Sequence, residues 1–361
     1  MSAPRLVVDR EKLHHNARTL VERLAPRGIS VTGVTKAALG SPEIADTLLR
    51  AGVKSLGDSR IENIEKMRAA GIKAPLLLIR SPMLSQVERV AAGADISFNS
   101  ELEVVNALSR AARRIGRTHG VVLMVELGDL REGLMPKDLE NAVRETLRLP
   151  HIALKGIGTN LACRSGVSPD AKNMAELSAL ADFVERTFDL TLDIVSGGNS
   201  ANLTWAFGSE NTGRVNDLRL GEAIFLGREP LHRRPIDGLH RDAVTLVAEV
   251  IESKVKPSKP WGEIAQGAFG ATAPPADRGD ILQTVLAVGR QDVEPDGLEA
   301  PAGIEVVEAS SDHLIVYSDG RPLAVGAEIT FQLNYSALVR AMTSPFVGRR
   351  LEISGGQDTL F

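Results

Sequence analysis

Between Asp9 and about Gly227 the hydrophobic positions alternate between two textures. Short β-rich runs ("ISVTGVTK", "SLGDS", "PLLLIR", "DISFNS", "GVVLMVEL", "IALKGIGTNL", "LDIVSGG" and "DLRLGEA") are separated by longer stretches with helical periodicity. In "ELEVVNALSRAARRI", Leu102, Val105, Leu108 and Ala112 recur at the spacing of one helix face. Several of these stretches open on Ser, Asp or Pro and close on Gly, as helices do. Eight strand-helix units predict an α/β fold, a parallel (β/α)8 TIM barrel; a doubly wound open sheet is the alternative, and the count and spacing favour the barrel. Past Arg234 the texture changes to β-rich runs ("DAVTLVAEVIESKVKP", "TVLAVGRQD", "IEVVEASSDHLIVYSDG", "GAEITFQL", "RRLEIS") with turn signals such as "DGRP". The pattern predicts a barrel over residues 9–234 and a mostly β C-terminal domain over 235–361, joined by an N-terminal strand within 1–8.

Composition narrows the function classes. The chain has 361 residues, 43% hydrophobic and 24% charged, which suits a soluble protein of two domains. A net charge of −4 and the lack of a basic tail argue against nucleic-acid binding. Cys163 is the only cysteine, so an intrachain disulfide and a thiolate metal cluster are both excluded, and a reducing compartment is the natural home. The opening "MSAPRLVVDREKL" carries no apolar stretch of signal-peptide type, and no run is long enough to span a bilayer. The expected setting is therefore cytoplasmic, without membrane attachment.

Candidate chemistry begins at Lys36, which follows the apolar run of the first barrel strand. Taken alone, such a lysine snorkels to solvent. In a barrel, however, the ends of the strands build the active site. Those ends carry Lys36, Asp58, Asn99, Asp129 with Arg131, Asn160 with Cys163, "SGGNS", and Arg219 with Gly221. Phosphate sites in such barrels commonly form from the loops after the seventh and eighth strands. There, Gly197 and Gly198 let the backbone approach an anion, and Asn199 and Ser200 open a helix whose N–H groups attract it. The plain alternative is a tight turn with Ser200 as N-cap. A nucleophilic lysine facing a phosphate cradle suggests pyridoxal 5'-phosphate.

These residues resemble the fold-type-III pyridoxal-phosphate enzymes, the family of alanine racemase. The likeness is carried by "VVDREKLHHNARTLVERL", "VTKAALG", "GDLREG", "GGNSA", "LRLGEAIFLG" and "LNYSALVRAM", over nearly the whole chain. Through "DSRIEN", "ELGDLREG", "VSGGNSANL", "VGRQDV" and "SSDHLIV" it is closest to the ornithine and lysine racemase branch. The resemblance implies that Lys36 bears the cofactor and that Asn199, Ser200, Gly221 and Tyr335 bind its phosphate. It further implies that Arg131 supports the phenolic oxygen and that Arg219 faces the pyridine nitrogen. Arginine stays protonated and can only donate, so the ring nitrogen remains unprotonated and the cofactor is a weaker electron sink. That favours racemisation over transamination.

The sequence departs from the family in places that bear on mechanism. Racemisation needs an acid/base group on each face of Cα. The alanine racemase tyrosine that serves the second face, contributed by the partner subunit, is replaced here by Arg290, a poor base. Cys163, His313, Asp312 and Ser311 remain as candidates. Asn160 stands where alanine racemase stacks a histidine on the cofactor ring. Asp312, with Ser311, resembles the group that meets the distal ammonium of ornithine in related decarboxylases, or else caps a turn in "SSDH". The resulting expectation is a homodimer with composite active sites, racemising ornithine or lysine, with no metal. A basic amino-acid decarboxylase and a non-catalytic pyridoxal-phosphate carrier are the alternatives.

Overall fold

The computed structural model describes residues 2–270, 276–320, 322–352 and 359–360. The chain divides into two compact units, Leu13–His240 and Met1–Lys12 with Arg241–Phe361. Strand β1 (Arg5–Asp9) belongs to the second of these, and helix α1 (Arg10–Leu24) leads into the first.

The Leu13–His240 unit is a closed parallel barrel, as the eight repeats predict. Its strands are β2 (Ser30–Val34), β3 (Ser55–Asp58), β4 (Leu76–Leu78), β5 (Ile96–Asn99), β6 (His119–Met124), β7 (Ile152–Gly158), β8 (Ile194–Ser196) and β9 (Asp217–Leu220). Closure is made by β9 pairing with β2, Ser30 opposite Asp217 and Thr32 opposite Arg219. The helices after successive strands are α2 (Pro42–Arg50), α3 (Ile61–Ala69), α4 (Val87–Gly93), α5 (Leu102–Arg114), α6 (Leu139–Leu147), α7 (Ala171–Phe188), α8 (Leu203–Phe207) and α9 (Glu222–Leu226).

Local sequence explains the ends. Ser41 caps α2 ahead of Pro42, and Asp170 with Asn173 forms a capping box on α7. The stripe read on α5 is buried at Val105, Leu108 and Ala112, while Leu102 is half-buried. Side chains alternate along each strand, so Leu77, Phe98, Val122 and Met124 fill the barrel interior with Ile79, Ile96 and Ile194 packed against them. The same alternation sends Ser97 and Asn99 the other way, toward the helices.

The second unit is an antiparallel sheet with one parallel pair. It is formed by β1, β10 (Val244–Pro257), β11 (Asp280–Leu286), β12 (Leu298–Glu299), β13 (Ile304–Ala309), β14 (Leu314–Ser318), β15 (Glu328–Leu333), β16 (Gly348–Glu352) and β17 (Thr359–Leu360). The run "IEVVEASSDHLIVYSDG" is a hairpin, β13 and β14 joined through Ser310–His313. "TVLAVGRQD" is strand only as far as Leu286, where the ladder with β14 stops. Helix α10 (Tyr335–Thr343), capped by Asn334, follows β15. The last two residues of "RRLEIS" and Arg321 of "DGRP" lie outside the described residues.

Candidate active site

The strand that leads to Lys36 ends at Val34 because Thr35 turns to helical dihedrals (φ −95, ψ −3). Lys36 then opens a single 3-10 turn closed by Leu39 in the left-handed region. Asp58, fully buried at the end of β3, braces this turn. It accepts from Thr35 Oγ1 (2.8 Å), Asn63 Nδ2 (2.9 Å) and the Arg60 amide (2.9 Å). Burial raises the Asp58 pKa, and these three donors work against that rise.

Lys36 itself has solvent-facing surface, yet protein crowds it from the sides. That crowding lowers the amine's pKa, and the solvent contact limits how far. The guanidinium groups of Arg131 and Arg219 lie near enough to oppose its charge, the Asp58 carboxylate favours it, and Cys163 shares the same neighbourhood. Residues from the ends of four further elements thus converge on one lysine.

Arg219 is buried on β9 and points into the barrel. Its guanidinium donates to Ser196 Oγ (2.5 Å), the Thr159 carbonyl (2.8 Å) and Asn160 Oδ1 (3.2 Å), and lies 5.0 Å from the centre of the Phe98 ring. A surface ion pair, the bland alternative for this residue, is ruled out by that burial. Asn160 Oδ1 also accepts from Asn199 Nδ2 (3.1 Å), while Asn160 Nδ2 is buried with no hydrogen-bond partner among the described residues.

In the loop after β8, the N-cap is Asn199 rather than Ser200. Asn199 Oδ1 accepts from the Ala201 amide (2.8 Å), and its Nδ2 is spent on Asn160, the Leu161 carbonyl and Cys163 Sγ (3.5 Å). Asn199 therefore shapes the loop. Ser200 Oγ accepts from the Ala223 amide (3.2 Å) and so ties this loop to the one carrying Gly221.

Cys163 is exposed, on a loop whose backbone amides at Cys163, Arg164 and Ser165 donate to buried Asp129. Arg131 makes two hydrogen bonds to its neighbour Glu132. Of the polar strand ends, then, Asp58, Asn99 and Asp129 are scaffolding. Asn99 bonds back to Ser97, which is why it does not join the ring.

In the second unit the structure brings together residues that are far apart in sequence. The Arg290 and Gln291 amides donate to the carbonyls of Ser310 (2.8 Å) and Ser311 (3.1 Å). This sets Arg290 beside the turn of Ser311, Asp312 and His313. Arg290 Nε donates to the Ala309 carbonyl (3.0 Å), and Asp312 accepts from Gln291 and from Ser311 Oγ (2.8 Å). His313 is exposed, its Nδ1 3.5 Å from Ser310 Oγ. Tyr335 is the first residue of α10.

Sequence reasoning missed three residues here. Ser196 and Asp217 lie under Arg219 inside the barrel. Glu222 follows Gly221, is held by Arg233 (2.7 Å), and has its pKa raised mainly by burial while Arg233 and Lys36 pull it down. Period-two alternation from Arg219 would have found Asp217.

Residues 8–229 match the family described as alanine racemase, N-terminal domain. The chain is 38% identical over 356 residues to the lysine racemase of Thermotoga maritima, covering 98% of this chain and 100% of that one. It is 38% identical over 353 residues to the ornithine racemase of Acetoanaerobium sticklandii, covering 96% and 99%. Among solved structures, an alanine racemase from Clostridium difficile superposes with a TM-score of 0.75 at 18% identity, covering 100% of this chain and 99% of that one. A D-threonine aldolase from Filomicrobium marinum gives 0.75 at 16%, covering 98% and 93%. At those identities the likeness to the two structures is one of fold.

Proposed function

From membership of the alanine racemase family, to which this chain belongs, we propose that it interconverts the L and D forms of ornithine or lysine with pyridoxal 5'-phosphate held at Lys36. That it is an amino-acid racemase follows from its full-length likeness to two racemases; the basic substrate and the cofactor are the proposal. The observation that carries the cofactor reading is the convergence of Lys36, Arg131, Arg219 and Cys163 at one end of the barrel. The residues also fit the group chemically. Asn160 offers a buried donor that the protein leaves unpartnered, and the Lys36 amine is pushed toward its neutral, nucleophilic form.

Lys36 would hold the cofactor's aldehyde carbon, Arg219 its pyridine nitrogen and Arg131 its phenolic oxygen. Ser200 and Gly221 would hold the phosphate, beside a loop shaped by Asn199. When bound, pyridoxal phosphate supplies an electron sink for the electrons of a broken Cα–H bond.

The protein's own work is proton transfer and orientation. The Lys36 amine takes the Cα proton on one face and can return it there. On the other face we assign the proton to Cys163 Sγ, on the loop after β7 and 3.5 Å from Asn199 Nδ2. His313, beside Arg290 on the second unit, is the other candidate. Arg219, a fixed donor packed on Phe98, would keep the electron sink weak and so favour return of the proton to Cα. The proposed working form is a cytoplasmic homodimer in which Asp312, with Ser311, meets the distal ammonium of substrate in the partner's barrel.

The test is incubation of the holoenzyme with each L-amino acid in D2O. D-Ornithine or D-lysine carrying deuterium at Cα is expected, and Lys36→Ala should abolish it. Release of CO2 without D-product would show a decarboxylase instead.

A further inference from the structure

Arg219 is a guanidinium buried inside the barrel, and among the described residues no carboxylate hydrogen-bonds to it. Its hydrogen bonds go to a hydroxyl, a carbonyl and an amide oxygen. A buried cation of this kind needs a counter-charge, since an isolated one costs far more than its neutral contacts return. The counter-charge lies one hydroxyl away. Ser196 Oγ, which accepts from Arg219 Nη1 (2.5 Å), donates to Asp217 Oδ2 (2.5 Å). The other carboxylate oxygen, Oδ1, accepts from Thr32 Oγ1 (2.6 Å), and Thr32 Oγ1 is 2.8 Å from Ser55 Oγ.

The arginine end of this chain fixes the direction of its first hydrogen bond. Arginine can only donate, so Ser196 must accept from it and pass its own hydrogen to Asp217. Thr32 gives its hydrogen to the same carboxylate, which leaves Ser55 as donor to Thr32. With Asp217 ionised, every hydroxyl of the network points toward it and it is the terminal acceptor. Asp217 and Arg219 sit two apart on β9 and face inward together, and Ser196 stands opposite Asp217 on β8. Gly158 makes room for the bridge, because a β-carbon there would press to 3.1 Å on Ser196 Cβ.

Asp217 also lines a cavity of about 240 Å3 at the N-terminal ends of the strands, whose other charged walls are Lys54 and Asp193. The carboxylate is therefore approached from the foot of the barrel, the end opposite Lys36. Burial acts on both charged groups, pushing Asp217 up and Arg219 down. The guanidinium is basic enough to stay charged, and the ionised state of Asp217 gains from the two hydroxyls and from Arg219.

We propose that Asp217 is a positioning residue for the racemase: through Ser196 it supplies the counter-charge of Arg219 and fixes the direction in which that guanidinium donates to the cofactor's pyridine nitrogen. This rests on the reading of Arg219 given above. It requires no contact between Asp217 and either substrate or cofactor.

The test compares the affinity of apoprotein for pyridoxal 5'-phosphate with that for its 1-deaza analogue, which carries C–H in place of the ring nitrogen. The wild type is expected to prefer the natural cofactor at least tenfold. Asp217→Asn and Ser196→Ala should each cut that preference at least threefold, and the double variant should cut it no further than the stronger single. In the same variants kcat is expected to fall about tenfold with KM within twofold. A residue that served only the fold would weaken both cofactors alike, and an unchanged preference in Asp217→Asn or in Ser196→Ala would overturn the proposal. Should Asp217→Asn fail to fold, Ser196→Ala decides by itself. A wild type with no preference would instead refute the reading of Arg219, and with it the role of Asp217.

Discussion

Adding one methyl group at Gly198 is expected to damage both the fold and the phosphate site. Gly198 sits at φ +142, where an L side chain is strained, and a β-carbon there would lie 2.3 Å from Asn202 Oδ1 and 3.1 Å from its Cγ. Asn202 cannot step aside cheaply. It is fully buried, its Oδ1 accepts from the Asn199 amide (3.0 Å), and its Nδ2 donates to the Gly197 carbonyl (2.9 Å). The backbone strain is worth about 1–3 kcal/mol. Two lost hydrogen bonds add about 1 kcal/mol each. The total for Gly198→Ala is therefore roughly 3–5 kcal/mol, a large share of a domain's net stability. The assay has two arms. Urea unfolding of the apoprotein should show a clearly lower midpoint with the same slope. Titration with pyridoxal 5'-phosphate should show at least tenfold weaker binding, because the Asn199 amide that Asn202 pins belongs to the same loop. A variant with the wild-type midpoint and wild-type affinity would refute the claim that this glycine is required by its geometry.

Other outcomes follow from the same structure. Cys163→Ala is expected to lose interconversion by at least a hundredfold while still exchanging the Cα proton of one enantiomer in D2O, since Lys36 alone serves one face; a variant that still racemises would move the second base to His313, checked by His313→Ala. Asp312→Asn should raise KM for ornithine at least tenfold while leaving the affinity for pyridoxal 5'-phosphate within twofold, and an unchanged KM would return Asp312 to the role of turn residue. His119 is buried against Ser97 Oγ (2.8 Å), and burial pushes its pKa from 6.5 down to about 4. The unfolded chain takes up that proton first, so the His119 contribution to stability should be constant above pH 6.5, fall as pH drops toward 4, and then level. The gap of 6.5 minus about 4 at 1.36 kcal/mol per unit sets the loss on the order of 3 kcal/mol. Urea midpoints of the apoprotein across that range should show a slope that His119→Gln reduces.

How much of this was legible in the sequence depended on whether a feature is local. The eight repeats, the α5 stripe and the Ser41 and Asp170 caps are written in spacings of two to four residues, which is the scale on which strand and helix geometry acts. Because barrel strands follow one another in order, that local reading also located Lys36, Asn160, Arg219 and Gly221 at one end of the barrel. The sequence could not separate scaffold from site among the polar strand ends. Whether Asp58, Asn99 and Asp129 face the mouth or brace a turn is decided by partners such as Thr35, Ser97 and the amides of residues 163–165, brought close only by closure of the sheet. Asn199 was read as a phosphate ligand, and the structure engages its side chain as a cap. Arg290 and the Ser310–His313 turn, some twenty residues apart, became neighbours only through the ladder of the second unit. The link from Arg219 through Ser196 to Asp217 was the least legible part. Two of its members share one strand and the third comes from another, and nothing but the closed barrel packs three polar side chains tightly enough for their hydrogen bonds to hold one direction.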